Sequence, residues 1–234
     1  QMEEGGRDVT QKDQFYQQIQ LVVEPLKDWL IHAEGNMKIV NNQNQWEVLP
    51  VYYHDGEGSP VAMAWFDGYT PGMSRVNQSY WKDNNYSLNL YTDYFKQIGD
   101  HYFKVMGGFN AELYKRTNLS GQRDELITPD VPTLNTGTTE QKANGGYSHW
   151  ANAGFFGRIN YNYKERYLLE INGRYDGSSR FIGDKRWGFF PSFSAGWNVS
   201  REPFWRDLEH IVNNFKIRGS WGELGNCNTT AFYP

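Results

Sequence analysis

Residues Arg174–Ser200 read RYDGSSRFIGDKRWGFFPSFSAGWNVS, passing from the end of one alternating run, through a loop rich in Gly, Ser and charge, into a second. In that second run Phe193, Ala195, Trp197 and Val199 point one way, while Ser192, Ser194, Gly196 and Asn198 point the other. A period of two places small polar groups on one face of a strand and large apolar groups on the opposite face. In a water-soluble sheet the apolar face needs a covering layer; in a transmembrane barrel, lipid supplies it. Which of the two covers this face decides the fold.

The same parity extends in both directions. Upstream, Tyr167, Leu169, Ile171 and Tyr175 oppose Glu170, Asn172 and Arg174, and before the Lys164-Glu165-Arg166 turn Phe155, Ile159, Tyr161 and Tyr163 oppose Arg158, Asn160 and Asn162. Downstream, Phe215, Ile217, Gly219 and Trp221 oppose Lys216, Arg218 and Ser220. Four more strands are expected nearer the start. Phe15–Val23 is the first, ended by a turn at Glu24–Asp28, where Pro25 fixes φ and cannot extend a ladder. Trp29–Ile39 follows, with Trp29, Ile31, Ala33, Met37 and Ile39 against His32, Glu34, Asn36 and Lys38. Tyr86–Tyr94 and Phe103–Leu113 flank a turn at residues 97–100. The alternation is lost over 40–85 and 115–149, where Asn, Gly and Thr abound, and both stretches read as long polar surface loops. Residues 200–214 form a connection in which Pro203 stands at the start of a helical turn. Turns are thus short after alternate strands and long or polar after the others, the hairpin pattern of outer-membrane barrels. Trp29, Tyr163, Tyr167, Trp187, Trp197 and Trp221 fall near strand ends, where interfacial aromatics belong.

Composition agrees with this reading. Aromatic residues make up 17% of the 234-residue chain. No run approaches the roughly 18 apolar residues of a membrane helix, so any spanning structure is β. A net charge of −4 gives no electrostatic case for nucleic acid, which requires an excess of Lys and Arg. Cys227 is the only cysteine, which excludes an internal disulfide and a multi-cysteine metal site.

Several short stretches point further. Arg174-Tyr175-Asp176-Gly177-Ser178-Ser179-Arg180-Phe181, Arg186-Trp187-Gly188-Phe189-Phe190-Pro191-Ser192 and Gly196-Trp197 resemble the signature of SusC/RagA-type TonB-linked outer-membrane proteins. Phe215-Lys216-Ile217-Arg218-Gly219-Ser220-Trp221-Gly222 with Gly225-Asn226 resembles the strand and loop that follow it in that family. The resemblance implies an all-β, antiparallel transmembrane β-barrel, of which about eight meander strands are present here as a segment of a larger, plugged barrel. It implies a TonB-dependent nutrient importer in the cell outer membrane, in contact with outer-membrane lipid. It further implies a SusD-like surface lipoprotein over the mouth, energy from TonB through the plug, and oligosaccharide or peptide cargo. On this reading residues 1–13 are a polar lead-in, 14–234 are barrel, no plug is present, and the first and last strands are not paired with each other. Two alternatives stay open on pattern alone: a soluble glycan-binding β-sandwich with the apolar faces as core, and a complete eight-stranded barrel.

Catalysis is not expected. The histidines at 32, 54, 101, 149 and 210 show no HExxH spacing. Ser148 and His149 are neighbours on a strand and face opposite ways, and no GxSxG elbow is present. No cofactor motif occurs. Asp55, Glu57 and Asp67 form either a cation loop or a solvated acidic loop. Asn-x-Ser/Thr at Asn77, Asn85, Asn118, Asn198 and Asn228 recurs as chance would give it. Trp46, Trp65 and Trp81 are the candidate ligand contacts, since aromatic faces stack on sugar rings or apolar substrates; the alternatives are that they anchor their own loop or touch a partner.

Overall fold

The computed structural model describes residues 5–63 and 72–227. Its strands are β1 (Asp8–Leu26), β2 (Trp29–Val48), β3 (Tyr52–His54), β4 (Pro60–Ala62), β5 (Arg75–Ile98), β6 (His101–Leu126), β7 (Gly137–Tyr163), β8 (Tyr167–Ser178), β9 (Trp187–Asn198) and β10 (Lys216–Gly222). Eight form one meander sheet in the order β1-β2-β5-β6-β7-β8-β9-β10, and β3 pairs with β4 in a small hairpin. β1 and β10 stand at opposite ends of that order, as expected for a barrel segment and contrary to a complete eight-stranded barrel. Pro25 lies within β1 rather than in a turn, and an end strand tolerates the missing N–H. β1 also begins at Asp8, so part of the expected polar lead-in is strand.

Residues 17–37, 85–114 and 149–234 form one compact unit. Its registers show why the alternation in sequence matters. Ile159 pairs with Ile171, Ile171 with Phe193, and Phe193 with Trp221. Two rows along on the same face, Tyr163 pairs with Tyr167, Tyr167 with Trp197, and Trp197 with Ile217. These rows share one face. On the other, Asn160, Glu170, Ser194 and Ser220 make a row, and Arg158, Asn172 and Ser192 the next. A one-residue slip of any strand would exchange the faces, so the sequence pattern fixes the register.

The apolar face is bare. Phe155, Ile159, Leu169, Phe193 and Ile217 are 54%, 48%, 41%, 51% and 51% exposed. A sandwich core would hide them. Buried apolar side chains among the described residues are Val40, Val48, Val51, Val76 and Val199, too few to replace the missing layer in water. The soluble sandwich is therefore set aside. From Tyr167 to Gly177 the strand rises roughly 33 Å, and a tilt of about 40° reduces this to roughly 25 Å, the height of a lipid-facing band. Aromatics bound both ends: Tyr163, Tyr167 and Trp197 at one, and Phe155, Tyr175 and Trp187 at the other, where Trp187 stacks on Tyr175 at 5.0 Å. The indole of Trp187 also lies over Gly177, whose Cβ would stand 2.6 Å from the ring. Trp221 stands next to the end of β10, as expected, but that end lies midway between the two aromatic rims, in the row of Ile171.

The turns at the Tyr163 end are tight. Lys164 and Glu165 both have left-handed φ, 52° and 55°, and Arg166 N–H donates to Tyr163 O at 2.9 Å. Pro203–Leu208 forms the expected turn of helix, of 3-10 type, with Pro at its start.

Residues 1–16, 38–84 and 115–148 form the second unit. Here the expected loops are largely strand: β2 runs to Val48, β5 starts at Arg75, β6 runs to Leu126, and β7 starts at Gly137. The reason is physical. Strands of 24, 26 and 27 residues far exceed the about 9–11 that cross a bilayer. Their surplus meets no lipid, so nothing imposes apolar-polar alternation, and ladder hydrogen bonds keep it extended. Val40, Val48, Val51 and Val76 make a small core here, beside a bidentate Arg75–Asp124 pair with both N–O distances at 2.6 Å.

Candidate functional site

The polar face of the unit formed by residues 17–37, 85–114 and 149–234 carries hydrogen-bonded networks built by the strand parity. On β7 and β8, Arg158 Nε donates to Asn172 Oδ1 at 2.6 Å, Asn160 Nδ2 to Glu170 Oε2 at 2.7 Å, and Asn172 Nδ2 to Glu170 Oε1 at 3.0 Å. One row further, Arg174 forms a two-pronged pair with Asp176, at 2.9 Å for each bond, and reaches Asn110 Oδ1 at 3.2 Å. Its guanidinium lies over the Phe156 ring, 5.5 Å from the centroid. Arg158, Glu170, Asn172, Arg174 and Asp176 border an open concavity of about 1190 Å³, to which Arg218 and Ser220 also contribute. Cations and carboxylates alternate, so the surface suits water, hydroxyl-rich solutes or another polar protein surface rather than one charged ligand.

On β2, β5 and β6 a second network occupies the same face. Asp93 joins His32 Nε2 at 3.0 Å and Lys104 Nζ at 2.8 Å. His32 stacks on Tyr91 at 4.3 Å, and Glu34 receives Gln20 Nε2 at 3.1 Å and Tyr91 OH at 3.3 Å. His32 Nδ1 is buried and has no hydrogen-bond partner among the described residues.

The inner positions of His32, Glu34, Arg158, Asn160, Glu170, Asn172 and Arg174 follow from sequence parity. Asp93 and Lys104 do not stand out in sequence, although each sits opposite the apolar parity of its own strand, and that signal could have found them. Glu202 was likewise not singled out. It is buried in the connection after β9, accepting Trp197 Nε1 at 3.0 Å and lying 3.4 Å from Arg166 Nη1. Hydrogen bonds from Tyr167 and Trp197, and then the Arg166 charge, hold its carboxyl below the usual glutamate range.

Trp65 and Asp67 lie outside the described residues. Trp46 and Trp81 lie on β2 and β5, both half-buried. Tyr80 OH donates to Asn41 Oδ1 and Gln78 Nε2 to Gln45 Oε1, at 3.2 and 2.8 Å, which puts those four side chains on one face of the β2–β5 pair. Trp46 and Trp81, each next in sequence, therefore share the opposite face. About four residues, roughly 13 Å, separate them along the strands. Asp55 Oδ1 accepts the backbone N–H groups of Glu57 and Ser59, at 2.9 and 2.8 Å; the acidic residue serves its own turn. Trp150, not singled out by sequence, lies between Tyr114, stacked at 5.6 Å, and Arg180, 5.0 Å from its ring centroid.

Comparison with known proteins agrees with this geometry. A family model described as TonB dependent receptor-like, beta-barrel, matches residues 6–226. TonB-dependent receptor SusC of Bacteroides thetaiotaomicron is 35% identical over 147 residues, covering 62% of this chain and 14% of that protein. TonB-dependent receptor P26 of Formosa agariphila is 29% identical over 229 residues, covering 93% of this chain and 21% of that protein. The chain thus spans about a fifth, or less, of the curated relatives it matches. Among solved structures, the RagAB peptide importer in its closed-closed state aligns with a TM-score of 0.82 at 16% identity, over 97% of this chain and 24% of that one. The RagAB peptide transporter aligns at 0.79 and 15%, over 94% and 23%.

Proposed function

Because the chain belongs to the TonB-dependent receptor β-barrel family, we propose that it builds part of the wall and outer rim of an outer-membrane nutrient importer driven by TonB. The observation that carries this is the division of one sheet into a bare apolar face and a polar face crossed by side-chain hydrogen bonds and ion pairs. Lipid covers the first, and a passage filled by a plug borders the second. The strands from β1 to β10 serve as barrel, and other parts of the receptor supply the plug and the contact with TonB.

Cargo is an oligosaccharide or a peptide, and a SusD-like lipoprotein covers the mouth. Support for peptide comes from the neighbours described as RagAB peptide importers, and support for sugar from the balanced amide and carboxylate lining. Trp46, Trp65 and Trp81 are the aromatic contacts for cargo. The test is accumulation of fluorescent oligosaccharides and oligopeptides by cells producing the full-length receptor, with and without TonB. TonB-dependent uptake of one class is expected, and no TonB-dependent uptake of either would refute the proposal. Trp46→Ala and Trp81→Ala should each weaken cargo binding about 2- to 10-fold, the worth of one aromatic contact; unchanged binding would remove these residues from the site.

A further inference from the structure

The connection from β9 to β10 exposes Phe204, Leu208, Ile211 and Val212 by 63%, 45%, 71% and 41%. Three contacts fix the side of the sheet on which it lies. Phe215 shares parity with Ile217 and Trp221 on the apolar face, and Trp205 stacks on it at 5.2 Å and 16°. Trp205 Nε1 also donates to Val212 O at 2.9 Å, pinning the segment's far end. Trp197 and Tyr167, both in the outer aromatic row, hydrogen-bond Glu202 at the segment's start. The connection therefore folds back against the apolar side of the sheet, at the rim bearing the tight Lys164-Glu165 turn, where Arg201 pairs with Glu165.

We propose that residues 203–212 are an interfacial foot, with Phe204, Leu208, Ile211 and Val212 set into the headgroup–acyl boundary of the leaflet at this rim. This rests on the reading of the apolar face as lipid-covered. Continuity with that face identifies lipid as the occupant: the segment is fastened to three members of the outer apolar surface and extends it past the ends of the strands. The one carboxylate that the fold buries beside it, Glu202, is supplied with donors by the protein itself, so it brings no unpaired charge to the boundary. Arg206, Asp207 and Glu209 are exposed between the apolar positions, the mixture an interfacial segment presents to headgroups, and insertion of about 5–10 Å is expected from its apolar side. Such a foot would fix the height of the β9–β10 hairpin in the bilayer.

Nitroxide labels placed singly in the full-length receptor, with Cys227→Ser as background, test this in phosphatidylethanolamine–phosphatidylglycerol vesicles. Labels at Leu208→Cys and Ile211→Cys should collide more with dissolved oxygen than with a water-soluble nickel chelate, as should a label at Ile171→Cys. A label at Asp207→Cys should show the reverse, and Phe204→Cys provides a further apolar position. If Leu208 and Ile211 behave like Asp207, or are shielded from both reagents as in a protein contact, while Ile171 remains lipid-like, the foot is wrong and the barrel reading stands. If Ile171 itself meets the nickel chelate, the barrel reading fails and the foot with it.

Discussion

Replacing Ile171 with Arg puts the account under the greatest strain. Ile171 pairs with Ile159 and Phe193 and lies midway between Tyr167 and Tyr175, roughly 13 Å along the strand from each. It is 48% exposed, so about half of its surface meets lipid and the rest its row neighbours, which the stem of an Arg would still cover. The charge then dominates. An Arg on the lipid face at the bilayer midplane costs roughly 2–4 kcal/mol, or roughly a 30- to 700-fold shift in the folding equilibrium. Ser194→Arg is the matched control: it sits at the same depth on the polar face, paired with Glu170, and should cost no more than about 1 kcal/mol. The assay is reversible urea unfolding of the full-length receptor in phospholipid vesicles, followed by tryptophan emission and heat-modifiable gel mobility. Equal costs at the two positions would refute the assignment of faces.

Three other outcomes follow from local chemistry. Lys164→Asn with Glu165→Gly should stabilise the β7–β8 turn by about 1 kcal/mol in the same assay, because two left-handed non-glycine residues cost more than the exposed Lys164–Asp100 pair at 3.2 Å contributes; a loss of stability would count against the turn geometry. Glu202, with its carboxyl held below the usual glutamate range, gives stability that is complete above that range and is lost as pH falls through its lowered value. The stability difference between the native receptor and Glu202→Gln should therefore shrink in acid, and a difference independent of pH would contradict this. Asp93→Ala strips both His32 and Lys104 of their shared carboxylate and should cost about 1–3 kcal/mol, whereas no measurable change would mean that the network is not formed.

The sequence made the faces legible because lipid and a wet passage impose opposite demands on adjacent residues. Tyr167-Leu169-Ile171 against Glu170-Asn172 needs no structure to be read. Turn positions were legible for the same reason, since residues 27–28, 99–100 and 164–166 interrupt the parity only briefly, although the first two turns are shorter than the expected 24–28 and 97–100. Residues 40–48, 75–85, 115–126 and 137–154 were not legible as strand, because beyond the bilayer lipid no longer covers one face and the period of two disappears. Trp46 and Trp81 consequently moved from loop to strand. The Asp93 and Glu202 networks join residues distant in sequence, and only the register brings their partners together. The mid-band level of Trp221 also depends on register, since β10 ends beside the middle of β9.

The most direct test is a cysteine scan along β8, from Tyr167 to Ser178, in the full-length receptor carrying Cys227→Ser and reconstituted in vesicles, probed with a charged, membrane-impermeant thiol reagent in the presence of mild denaturant that loosens the plug. Reactivity should alternate with period two, high at 168, 170, 172 and 174 and low at 169, 171 and 173. Uniform reactivity, or protection of the even positions with the odd ones open, would contradict a lipid-facing apolar side and a water-facing polar one.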